Sequence, residues 1–138
     1  MNEFKRNIPE KILEKDILTG NDFGCRKTDF QSVINIAREN LLAIVGGQIQ
    51  YSLPDGTCEL YWLAYDTESK KNEETWKMYC ERTAKESLEK FNSIIQKYDI
   101  EKEAIKSFKF LEEKKQAGID IDVFQTFVLY FENENHIV

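Results

Sequence analysis

The chain has 138 residues, of which 41% are hydrophobic and 12% aromatic, with a formal net charge of −6. That length and apolar content specify one domain, 1–138, able to bury a core without staples, and exclude a disordered chain. The acidic balance excludes phosphate neutralisation as a driving force for binding, so no nucleic acid is expected as a partner, and a basic protein is the complementary expectation.

Pro9 suits a first helical turn, and Ile8, Ile12, Leu13 and Ile17 predict a short helix over 9–18, closed by Gly20. Residues 21–27 read as a loop. Thr28 with Gln31 has capping-box spacing. Phe30, Val33, Ile34, Ala37, Leu41, Ile44 and Val45 then predict a second helix running to Gly46-Gly47.

A β-hairpin follows, with strands over 48–53 and 57–65. Ile49, Tyr51 and Leu53 alternate with Gln48, Gln50 and Ser52, whereas the second strand is apolar on both sides. Two registers are open. A two-residue Asp55-Gly56 turn pairs Leu53 with Cys58 and sends Cys58, Leu60 and Trp62 to the core. A turn through Leu53-Pro54-Asp55-Gly56, with Gly56 in a left-handed bulge position, pairs Leu53 with Thr57 and sends Glu59, Tyr61 and Leu63 there instead. Pro54 favours the second and the apolar pattern the first.

After an exposed polar loop, a third helix is predicted over 73–98 with Asn72 as its cap, and a fourth over 100–117 capped by Asp99 and stopped by Gly118. The apolar run over 119–131 predicts a central third strand. The order is ααββααβ: an α+β domain whose small antiparallel or mixed three-stranded sheet is packed by about four helices.

Chemistry-bearing residues are sparse. The single histidine, His136, lies near the C-terminus, a poor place for a held imidazole, and no multi-histidine metal site is possible. Cys25, Cys58 and Cys80 lack metal or disulfide-framework spacing; Cys58 and Cys80 read as core, and Cys25, beside Arg26 and Lys27, as the most reactive thiol. Gly46-Gly47 lies between a helix and a strand, the reverse of a phosphate loop. The carboxylates show no acid-pair spacing. No catalytic residue, cofactor or metal is therefore assigned. With no signal peptide and no bilayer-length apolar run, a cytoplasmic protein without membrane association is expected.

The densest feature is the segment GGQIQYSLPDGTCELYWLAYD over 46–66. Tyr and Trp dominate binding hot spots, and carboxylates surround them here. Asp55, Glu59, Tyr61, Tyr65, Asp66 and Glu68 are the candidate partner-binding residues. In size, charge and lack of catalytic motifs the chain resembles bacterial immunity proteins of polymorphic toxin and contact-dependent inhibition systems. That resemblance implies stoichiometric neutralisation of a toxin domain by carboxylates facing its basic site. The alternatives are a small enzyme or ligand-binding domain with a pocket between sheet and helices, and a regulatory or phage-encoded adaptor.

Overall fold

The computed structural model describes Lys5 and residues 7–135, so His136 lies outside the described residues. In chain order the elements are α1 (Glu10–Leu13), β1 (Phe23–Cys25), a 3-10 turn (Lys27–Asp29), α2 (Phe30–Glu39), β2 (Leu42–Gly46), β3 (Gln48–Leu53), β4 (Gly56–Ala64), α3 (Trp76–Lys97), α4 (Ile100–Ser107), α5 (Lys109–Gln116), a second 3-10 turn (Ile121–Phe124) and β5 (Gln125–Asn133). The fold is α+β with a five-stranded antiparallel sheet.

The tail strand β5 is central, as its two-sided apolar pattern predicts. One of its edges pairs with β1, Phe23 opposite Leu129. Its other edge pairs first with β3, Ile49 opposite Phe127, and then with β2, Ile44 opposite Phe131. β2 and β3 thus form one long strand, interrupted at Gly46-Gly47. Gly46 and Gly47 have φ of 150° and 158°, where side chains are disfavoured. A Cβ on Gly47 would stand 1.8 Å from the Val128 carbonyl oxygen, so backbone fills the space a side chain needs.

Two predicted elements change here. The second helix stops at Glu39, with Leu41 in a left-handed conformation (φ 57°), and Leu42–Gly46 becomes strand. The apolar run LLAIVGG suits both periods, and pairing with β5 decides between them. The predicted capping box is not made; α2 has no side-chain cap and is entered from the 3-10 turn. The predicted loop over 21–27 contains β1, a strand of three buried residues too short for a pattern to announce. The first helix shrinks to a single turn.

The hairpin adopts a third register. Pro54 and Asp55 form a two-residue turn, so Leu53 pairs with Gly56 and Tyr51 with Cys58. The core face then carries Ile49, Tyr51, Leu53, Cys58 and Leu60, all buried, the set the apolar pattern favours. Gly56 is not in a left-handed position; it is small because Phe110 of α5 packs on it, 3.1 Å from where a Cβ would lie. Further along, Tyr61, Trp62 and Leu63 stand opposite the single step from Ile49 to Gln48. This bulge reverses the phase of β4. Leu63 and Tyr65 turn into the core, while Tyr61 and Trp62 are both left exposed.

α3 starts at Trp76, capped by Thr75, whose hydroxyl accepts the Met78 N–H at 3.1 Å, and not by Asn72. Its first half covers Ala43 of β2, and Thr83 accepts the Ile44 N–H. Its second half enters the main core, where Phe91 stacks on Phe30 of α2 at 4.1 Å. The predicted fourth helix is two. Asp99 caps α4 as expected, but Phe108 adopts extended backbone and starts α5 in a new direction. Gly118 ends α5 with a φ of 91°. Among the described residues the elements set out above are five α-helices and five strands, against four and three read from the pattern.

Candidate functional site

Helices α2 and α3 cover one face of the sheet, and the other face is the more open. By alternation it carries Gln48, Gln50 and Ser52 from β3, Thr57, Glu59 and Tyr61 from β4, and Thr126, Val128 and Tyr130 from β5, whereas at its far end Glu132, opposite Ala43, meets Tyr79 of α3. Thr126 and Val128 at its centre are buried, and the Asp16–Leu18 segment flanks it beside Gly24. Its exposed hydrophobic side chains are Tyr61, 70% exposed, and Val45, 42% exposed, at the β2 end. None of the five strands carries a lysine or arginine, and their only ionisable carboxylates are Glu59 and Glu132. Tyr61 hydrogen-bonds Glu59, which together with that charge raises the phenol's pKa.

The structure separates the six candidate residues. Glu59 and Tyr61 lie together on the open face. Asp55 is at the hairpin tip, paired with Lys114 of α5 at 2.5 Å, and this hydrogen bond holds its pKa below the ordinary value. Tyr65 is a correction: the phase reversal buries it completely. Its hydroxyl lies 2.5 Å from the Val128 carbonyl and 3.1 Å from that of Gln48, and its ring packs on Phe30. Asp66 is exposed but serves the fold, accepting the Gly47 N–H at 3.2 Å. Glu68 is exposed in the loop that Arg82 straps to α3; Arg82 binds the Glu68 and Ser69 carbonyls together with Glu74 and Glu86. The Arg82 hydrogen bond holds the Glu74 carboxyl down to about 2.

Cys25 is a second correction. It is buried in β1, and burial, followed by the charges of Asp29 and Asp16, pushes its thiol up to about 12, opposite to an activated thiolate. Cys58 and Cys80 are buried as expected.

Two features fall outside the six candidate residues. Trp62 is 46% exposed at the β4 edge, stacks on Phe108 and donates its indole N–H to Glu103 at 3.1 Å. Its orientation follows from the bulge, which alternation does not announce. The second is a polar group where α4 and α5 meet the Ile121–Phe124 turn. Glu101 and Asp122 are in side-chain hydrogen-bond contact, and Lys115 pairs with Glu101. Tyr51 donates its hydroxyl to Asp122 at 3.0 Å, and Gln125 donates to the Tyr51 oxygen at 3.0 Å. Two open grooves, of about 670 and 310 Å³, meet at Asp99, Glu101 and Asp122. The contributing residues lie far apart in sequence, so no spacing signal exists. The carboxyls touch, which is closer than the ~5–9.5 Å separations that glycoside hydrolysis uses.

Among the described residues, no three His, Cys, Asp or Glu side chains converge as metal ligands, and no helix is long and apolar enough to cross a membrane. No protein-family model, curated protein or solved structure matches the chain.

Proposed function

We propose that this chain is a non-enzymatic binding protein that docks a basic protein partner on its open sheet face, and that it acts as an immunity protein, neutralising a toxin domain in the cytoplasm. The observation that carries the reading is that the strands of this face hold no lysine or arginine and that Tyr61 stands 70% exposed beside Glu59; Arg26, from the adjoining loop, lines the groove at the Ser52 and Thr126 end. An exposed tyrosine supplies large contact area at low entropic cost, and adjacent carboxylates favour a cationic surface and repel an anionic one. Tyr130 and Val45 extend the surface along β5 and β2, and Trp62 adds a second aromatic at the β4 edge. Asp55 and Glu68 form its acidic surroundings; Tyr65 acts from beneath, by fixing the strands.

The test is co-expression with the toxin encoded beside the gene. The wild-type chain relieves growth arrest and co-purifies with the toxin domain, whereas the double variant Glu59→Lys, Tyr61→Ala does neither while keeping its thermal midpoint. If the wild type neither protects nor forms a complex, the immunity reading is wrong. If the variant protects as well as the wild type, the interface lies elsewhere.

The second reading, a ligand-binding domain or small enzyme, is favoured by one observation: the Asp122 groove combines a cavity with a carboxyl raised to about 6, first by burial and then by its bond to Glu101. Under that reading Asp122→Asn abolishes ligand-dependent stabilisation and leaves toxin protection unchanged.

A further inference from the structure

The groups around Asp122 form a directed chain of hydrogen bonds. Gln125 of β5 donates to the Tyr51 oxygen, and Tyr51 of β3 donates its only hydroxyl proton to Asp122. From the other end, Lys115 of α5 donates to Glu101 of α4. The remaining link joins Asp122 to Glu101, two groups that only accept when both are ionised. The chain therefore closes only when one carboxyl carries a proton. Lys115 keeps Glu101 ionised, so the proton resides on Asp122. The other charged groups at the seam are Asp120 in the same turn, Asp99 at the α4 cap, Lys27 in the first 3-10 turn, and Lys102 and Lys106 on α4.

This bond crosses the seam between the arm and the sheet. α4 fully buries Ile100 and Ala104, and α5 Leu111, and half-buried Ile105, Phe108 and Phe110 pack against the same core. The polar and edge ties are Lys114 on Asp55 and Trp62 against Phe108 and Glu103, with Phe110 on Gly56. The grooves on both sides admit water to the carboxyls.

We propose that Glu101 and Asp122 form a proton-dependent latch that holds the α4–α5 arm on the sheet and lets it loosen when the shared proton leaves. The sign follows from the linkage. Asp122 is raised from 3.8 to about 6, first by burial and then by Glu101. Its stabilising contribution is complete below the ordinary value and is lost as pH rises through about 6. Because the arm carries Phe108 and Glu103, loosening it also frees Trp62, at the rim of the proposed docking face. The latch is a property of the free chain and stands or falls independently of any partner.

The experiment combines a side-chain carboxyl ¹³C titration with amide hydrogen exchange of the whole chain, normalised for intrinsic rates. Asp122 titrates with a midpoint near 6. Exchange across α4 and α5 is about tenfold faster at pH ~7.5 than at pH ~5, with the core half of α3 unchanged. Asp122→Asn supplies an amide donor to Glu101 without a titratable proton, so its arm stays protected at both pH values. Asp122→Ala leaves the arm fast at both. An Asp122 midpoint near 4, or an unaltered pH dependence in Asp122→Asn, overturns the latch; the wild-type titration decides the matter even if a variant does not fold.

Discussion

At the residue scale, single backbone contacts control which side chains face outward. Gly47 must remain glycine, because its φ disfavours a side chain and the Val128 carbonyl occupies the Cβ position. Gly47→Ala is expected to destabilise the chain by roughly 2–4 kcal/mol in chemical denaturation, since strain and overpacking act together. An effect below ~0.5 kcal/mol would mean that β2 and β3 are not continuous beside β5. Tyr65→Phe removes the hydroxyl that reaches the Val128 carbonyl and is expected to cost about 1–2 kcal/mol. The cysteines give a further check. All three are buried, and Cys25 is pushed up to about 12, so the native chain at pH ~8 should react with a thiol reagent only after unfolding. Rapid labelling of Cys25 would restore the loop reading that its basic neighbours suggested.

At the element scale, the hairpin strands and the third helix are legible, whereas the end of the second helix, the break in the fourth and the short strand β1 are not. The Asp99 cap of α4 is a local signal and holds in the structure. Thr75→Ala is expected to cost about 1 kcal/mol by removing the Met78 cap, whereas Asn72→Ala should be near neutral. The LLAIV run was ambiguous because its apolar spacing fits a helix, and only pairing with the distant β5 makes it a strand. Gly56 misled for a similar reason. Its smallness answers to the Phe110 ring of α5 and not to its own turn, so turn chemistry alone placed the register wrongly. The β4 bulge then split a two-sided apolar strand into Cys58 and Leu60 from one parity and Leu63 and Tyr65 from the other. That split is why Glu59 and Tyr61 keep their place among the candidate residues while Tyr65 leaves the surface.

At the scale of the whole molecule, the five strands are almost uncharged: they hold no lysine or arginine and two carboxylates, Glu59 and Glu132, while the other described charges of both signs lie outside them. The α+β class and the acidic aromatic hairpin could be read from the chain, but the polar group around Asp122 could not, because β3, α4, α5 and the turn before β5 meet only on folding. A docking face whose own charges are carboxylates, on a chain of net charge −6, predicts a salt-sensitive association with a cationic surface. Raising ionic strength from about 0.05 to 0.5 M should slow association by at least tenfold and change dissociation much less. The most direct test of the docking account is the affinity of the chain for the toxin domain it is proposed to neutralise, compared between wild type and the Glu59→Lys, Tyr61→Ala variant. The account predicts a dissociation constant raised at least about 100-fold, from loss of an aromatic anchor and reversal of an adjacent charge, with thermal unfolding unchanged. Equal affinity in the two proteins would contradict it.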